Sequence, residues 1–144
     1  MSELLEKARS YEAKKIAATD KESKPLFHIS APAGWINDPN GFSVYNGKIH
    51  LFYQYYPYLR EWGPMHWGHS TTSDMIKWEQ LPCVLAPDEE YDKKGCFSGS
   101  AIEADGKHVL VYTGVTRIKL PDGSEQERQN QCIAFGDGLN YVKH

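Results

Sequence analysis

Gly41-Phe42-Ser43-Val44-Tyr45-Asn46-Gly47-Lys48-Ile49-His50-Leu51-Phe52-Tyr53-Gln54 reads as two β-rich runs split by Asn-Gly. Asn and Gly tolerate the positive φ angles of a two-residue hairpin, so the stretch predicts strands over 41–45 and 48–54 joined by a tight turn. Downstream, a third strand is expected from His66 to Thr72 and a fourth from Ile76 to Gln80, past a turn near Ser73-Asp74. The pattern then recurs. Strands over 96–103 and 107–113 flank Asp105-Gly106, and strands over 131–135 and 140–143 flank Asp137-Gly138-Leu139. Asn46-Gly47 therefore corresponds to Asp105-Gly106, and Asp74 to Asp137. Each unit is a four-stranded up-and-down meander, and repeated meanders of this size suggest blades of a β-propeller.

The fold class implied is all-β, with one blade over about 35–82 and a second over about 96–144. A closed propeller needs at least four blades of roughly 40–50 residues. Two meanders must either pack face to face as a sandwich or form the front of a longer protein. The second is the preferred expectation, because the chain stops at His144 in or just after a strand.

Before the meanders, residues 3 to about 18 predict an amphipathic helix, with Leu4, Leu5, Ala8, Tyr11 and Ile16 as a loose apolar stripe laid on the outside of the body. Thr19 to Lys24 reads as a charged linker that Pro25 ends. The chain thus divides into 1–24 and 25–144. Its 144 residues, 40% hydrophobic and 12% aromatic, suit a globular protein. Net charge is −3 with both signs interspersed, which argues against a nucleic-acid partner. No run approaches the roughly 18 apolar residues of a membrane span. Met1-Ser2-Glu3-Leu4-Leu5-Glu6-Lys7 is charged where a signal peptide is apolar, and no Asn-x-Ser/Thr acceptor occurs. Cys83, Cys96 and Cys132 are odd in number and lack metal-ligand spacing, so they read as half-buried reduced thiols. A cytoplasmic protein is the expectation.

Chemistry concentrates in Trp35-Ile36-Asn37-Asp38-Pro39-Asn40-Gly41. Pro39 pushes Asp38 toward an extended backbone and pre-sets the first corner of a turn, whose tighter positions Asn40 and Gly41 tolerate. A carboxylate held between an amide and an indole suits a nucleophile or general base. An Asp that merely starts a β-turn has the same local sequence. Gln54 interrupts an apolar strand and needs a partner if it faces inward. Trp62 lies in a Gly/Pro loop, where burial and ligand contact are both open, whereas Trp67 and Trp78 fall in expected strands and read as core. His66 and His69 sit on a strand without an apparent third metal ligand and read as hydrogen-bonded structural histidines. Ser98 and Ser100 have no adjacent base, against a serine nucleophile. No metal or cofactor is implied.

Four segments in order extend this reading: Trp35 to Gly41, Leu51-Phe52-Tyr53-Gln54-Tyr55, Trp62-Gly63-Pro64-Met65-His66-Trp67-Gly68-His69-Ser70, and Phe97-Ser98-Gly99-Ser100-Ala101. Together they closely resemble the front of glycoside hydrolase family 32, a family of invertases, fructan hydrolases and sucrose-6-phosphate hydrolases. The resemblance runs from about Phe27 to His144. It implies a five-bladed propeller with an attached β-sandwich, and an axial funnel lined by the first strand of each blade. It makes Asp38 the nucleophile of a retaining β-fructosidase that forms a covalent fructosyl-enzyme. It also implies that Trp35, Ile36, Asn37, Gln54, Trp62, Phe97 and Ser98 bind a small sugar, Asn37 and Gln54 through its hydroxyls and Trp62 as a wall.

Retention needs a second carboxyl group about 5–5.5 Å from the first. The family carries its acid/base in a Glu-Cys motif and a stabilising Asp in Arg-Asp-Pro. Here the cysteines follow Pro82, Gly95 and Gln131, and no Arg precedes Asp. Glu61, Glu89, Glu90 and Glu103 match neither motif and read as surface acids. The expectation is therefore the nucleophile half of an enzyme acting on sucrose 6-phosphate or sucrose, inactive by itself. The alternatives are a sugar-binding β module, or a fragment that hides open blade edges by self-association.

Overall fold

The computed structural model describes every residue except Lys21 and Ser23, so part of the expected linker lies outside the described residues. At Asn46-Gly47 the chain turns with φ of 48° and 72°, and at Asp105-Gly106 with 51° and 71°. These paired positive angles match the right-handed twist of the flanking strands. Around the first turn, β1 (Trp35–Tyr45), β2 (Lys48–Tyr56), β3 (His66–Thr72) and β4 (Glu79–Leu85) form an antiparallel sheet in sequence order. Around the second, β5 (Gly95–Ala104), β6 (Lys107–Lys119), β7 (Glu125–Gly136) and β8 (Tyr141–Lys143) repeat it.

The repeat extends to side chains. Asp74 Oδ1 accepts from the backbone N–H of Ile76 at 2.9 Å and Lys77 at 2.8 Å. Asp137 Oδ1 accepts from Leu139 at 2.9 Å and Asn140 at 2.7 Å. The first of these turns holds the N–H groups that a strand at 76 would use, so β4 starts at Glu79 and runs to Leu85, later than expected. Trp78 consequently precedes the strand and is only partly buried. β6 and β7 run longer than expected, pairing from Thr116↔Arg128 to Lys119↔Glu125 as a two-stranded arm beyond Gly95.

Alternation along the strands gives each sheet an apolar face. The two faces meet in a core of Phe52, Trp67, Val84, Leu85, Cys96, Leu110, Tyr112 and Ala134. All three cysteines are free and buried, more deeply than expected. Lys143 on β8 donates to the Ala86 carbonyl at 2.6 Å, to Asp92 Oδ2 at 2.5 Å and to Asp88, tying the second sheet to the segment that leaves the first.

Helix α1 (Glu3–Ala18) starts where Ser2 Oγ accepts from Leu5 N at 3.2 Å. Its buried face is Leu5, Ala8 and Glu12, whereas Leu4 and Ile16 of the expected stripe are exposed. Arg9 and Glu12, three apart and so on one face, grip the outer strand β4. Arg9 Nε donates to the Cys83 carbonyl at 2.7 Å, and Cys83 N donates to Glu12 Oε2 at 2.9 Å. Both hydrogen-bonding groups of an edge-strand residue are thereby covered. Arg9 reaches the second sheet too, through Asn140 Oδ1 at 2.9 Å and Leu139 O at 3.0 Å.

Candidate active site

Asp38-Pro39-Asn40-Gly41 is not a turn. It lies inside β1, whose pairing with β2 slips between Ile36 and Pro39 and again between Asn40 and Ser43. Pro39 has no N–H to give a ladder, and an irregular edge strand is where a sheet tolerates it. The slip leaves Asp38 exposed at the surface while Asn40 turns inward. Gly41, at φ 51°, completes the irregularity. A Cβ there would stand 2.7 Å from the Phe52 ring and 3.1 Å from the Ala101 Cβ, so only glycine lets β1 lie this close to the second sheet.

The second sheet supplies the neighbour of Asp38: Ser98 Oγ donates to Asp38 Oδ2 at 3.3 Å. Trp35 Nε1 donates to Asn37 Oδ1 at 2.7 Å, which fixes the amide and leaves its NH2 as a donor. Phe97 precedes Ser98, and its ring meets Trp62 edge to face with centroids 6.0 Å apart. Trp62 is 58% exposed, so the loop holding it presents the indole rather than burying it. Trp35, Asn37, Asp38, Phe97, Ser98 and Trp62 thus stand together where the two sheets meet.

Two predicted ligands are placed differently. Ile36 packs against the cluster of Tyr53, Tyr55 and Cys83 beneath the helix. Gln54 is 3% exposed, and its Nε2 donates to the Cys96 carbonyl at 3.0 Å. With its carbonyl oxygen turned toward Gln54, Asn40 accepts from Gln54 Nε2 at 3.0 Å and donates to Ser98 Oγ at 3.3 Å. Asn40 therefore links Gln54 to Ser98, which itself bonds Asp38, a connection that the reading of Asn40 as a turn residue missed. The signal was Gln54 itself, a polar side chain in an apolar strand whose partner had to be found.

His66 and His69 are buried and hydrogen-bonded, His66 Nδ1 to Pro64 O at 2.8 Å and His69 Nε2 to His50 Nδ1 at 2.9 Å. Among the described residues no group of three or more His, Cys, Asp or Glu is arranged to hold a metal ion, and no helix is long and apolar enough to cross a membrane. Chemically, the site offers an exposed carboxyl group on a strand, bonded by a hydroxyl, with an amide and two indoles on neighbouring positions. Such a set suits a polyhydroxylated ligand.

The model of the glycosyl hydrolases family 32 N-terminal domain matches residues 28–144. This chain belongs to that family. Sucrose-6-phosphate hydrolase of Escherichia coli is 48% identical over 120 residues, covering 83% of this chain and 25% of that protein. Levanase of Bacillus subtilis is 48% identical over 145 residues, covering 98% of this chain and 21% of its own length. The family 32 chain therefore spans about a quarter of the curated relatives it matches. Among solved structures, the Bombyx mori GH32 β-fructofuranosidase superposes with a TM-score of 0.83 at 45% identity, over 96% of this chain and 29% of that one. A mutant of that enzyme has been solved in complex with sucrose. Sucrose-6-phosphate hydrolase of Lactobacillus gasseri gives 0.73 at 34% identity, over 98% and 27%.

Proposed function

We propose that this chain is the nucleophile-bearing front of a β-fructofuranosidase that hydrolyses sucrose 6-phosphate or sucrose with retention. The two sheets are then the first two blades of a five-bladed propeller, and residues 25–144 are part of its catalytic domain. The reading rests on one observation above the others: Asp38 projects into solvent at the junction of the sheets, hydrogen-bonded by Ser98 from across it.

In this mechanism Asp38 attacks the anomeric carbon of the fructosyl unit, and the bond to the leaving oxygen breaks. A covalent ester forms and water later cleaves it. The Ser98 hydroxyl holds the carboxyl group aimed. Asn37 and Ser98 bind sugar hydroxyls, and Trp35, Trp62 and Phe97 wall the ring. Asn40 and Gln54 hold Ser98 in place, with Gln54 reaching the sugar only through that network. The general acid is supplied by residues outside these 144, so the chain alone turns nothing over.

The test is fructose release from sucrose and sucrose 6-phosphate by the whole protein carrying this chain. Asp38→Asn is expected to lower kcat by about 10⁴-fold or more while the fold, read by circular dichroism, is unchanged. Turnover at the wild-type rate in Asp38→Asn would remove the nucleophile assignment.

A further inference from the structure

A cleft of about 310 Å³ opens beside Leu59 and Arg60, in the loop that also carries Trp62. It is formed where the later turns of α1 meet the segment leading into β1 and the loop leaving β2. Three cations line it, Lys15, Lys24 and Arg60, together with the rings of Tyr11 and Tyr58. The nearest acids in sequence, Asp20, Glu22 and Glu61, are not among the residues lining it.

The arrangement is built into the helix. Lys7, Tyr11 and Lys15 recur at every fourth position, so they form one stripe along α1, beside the face that Leu5, Ala8 and Glu12 bury. Tyr11 and Tyr58 meet edge to face at 5.2 Å, and the Tyr11 hydroxyl donates to the Tyr58 carbonyl at 3.3 Å. Lys7 Nζ stands 5.7 Å over the Tyr58 ring and Lys15 Nζ 5.3 Å over the Tyr11 ring. Two aromatic rings beside two ammonium groups and a guanidinium in one lining suit a ring that carries a dianion.

The cleft is also rigidly placed relative to Asp38. Gly34, in its lining, has φ 62°, and a Cβ there would stand 2.0 Å from the Tyr56 carbonyl oxygen. The segment entering β1 is therefore pressed onto the end of β2. Gly34 lies four residues before Asp38 along an extended strand, at most about 13 Å at the usual rise. Arg60 lies two residues before Trp62 in the same loop.

We propose that this cleft is the phosphomonoester subsite of the fructosidase, in which Lys15, Lys24 and Arg60 take the phosphate of a phosphorylated leaving sugar and Tyr11 and Tyr58 take its ring. The assignment rests on the fructosidase reading for its place in catalysis, but binding by the cleft is measurable without turnover. In a first experiment the isotopically labelled chain is titrated with glucose 6-phosphate, glucose and inorganic phosphate while the amides of Ala33, Gly34, Tyr58, Leu59 and Arg60 are followed. Glucose 6-phosphate shifts them at lower concentration than either other ligand, and the double variant Lys15→Ala/Arg60→Ala weakens that binding by about tenfold or more. Absence of shifts, or an equal response to inorganic phosphate, overturns the subsite. In a second, the whole protein is assayed on both substrates. The ratio of kcat/KM for sucrose 6-phosphate to that for sucrose falls about tenfold in Arg60→Ala; an unchanged ratio overturns the proposal. A wild-type protein that cleaves neither substrate removes the fructosidase reading instead, and the titration alone then decides the cleft.

Discussion

Gly41 holds β1 against the second sheet, and with it the geometry that brings Ser98 to Asp38. An alanine there meets two penalties. Its φ of 51° lies in the left-handed region, and its Cβ would press into Phe52 and Ala101, both fixed in the packed interface. Gly41→Ala is expected to cost about 2–4 kcal/mol of stability and to loosen the Ser98–Asp38 contact. Urea unfolding of the variant measures the first. A loss below about 1 kcal/mol would mean that β1 moves away from the second sheet at little cost. Asp38 shows how much of the site local sequence carries. Asp-Pro-Asn-Gly marks an irregular backbone correctly, but local preference favours a turn where the fold keeps a slipped strand. The strand wins because β2 pairs along one side of it and the second sheet covers its face, and neither contact is local in sequence.

At the scale of the element, α1 is held by a carboxyl group that would rather be neutral. Burial raises Glu12 from 4.5 to about 7, against the Cys83 N–H, the Tyr55 hydroxyl and the Arg9 charge, which favour ionisation. Because the folded pKa lies above the unfolded one, the folded state binds the proton more tightly. Helix docking is then strongest below about pH 4.5 and weakens as pH rises to about 7. The difference is on the order of 2–3 kcal/mol. Glu12→Gln keeps an acceptor for Cys83 and has nothing to ionise, so its stability relative to wild type rises between pH 5 and pH 7.5. A constant difference across that range would place an ordinary carboxylate there. The helix limits were legible because sixteen residues carry a cap and a good composition. The buried stripe was legible only at Leu5 and Ala8, since an expectation built on apolar spacing does not count a Glu as core until β4 is seen to offer it a backbone N–H. The arm of β6 and β7 escaped for a related reason. Glu125-Gln126-Glu127-Arg128-Gln129 has no apolar alternation, and only backbone pairing to β6 makes it a strand.

Across the whole molecule, the junction of the sheets is a seam of histidines that must stay neutral. His50 Nδ1 and His69 Nε2 share a hydrogen bond of 2.9 Å, while His108 bonds Ser43 Oγ at 2.9 Å and the Tyr141 hydroxyl at 2.7 Å. Tyr45 stacks on His108 with centroids 4.7 Å apart, and Phe52 stacks on His69 at 4.3 Å. Burial lowers all three imidazoles, His108 from 6.5 to about 4 and His69 well below its usual range, with repulsion from His50 adding to both. Folded pKa values below the unfolded ones mean that this stabilisation is present above pH 6.5 and is lost as pH falls toward 4. Glu12 acts in the opposite sense over much of the same interval, so wild type shows the two effects partly offset. The Glu12→Gln background separates them. In it, unfolding free energy is expected to fall steadily from pH 7 to pH 4.5, by several kcal/mol if the seam protonates as a unit. Since the seam presses β1 against the sheet that carries Ser98, acid should separate Asp38 from its neighbour before the strands themselves melt. Nuclear magnetic resonance of the Ser98 and Gly41 amides along the titration would show their shifts changing ahead of global unfolding. Amides that change only with the global transition would mean that the sheets come apart and unfold in one step.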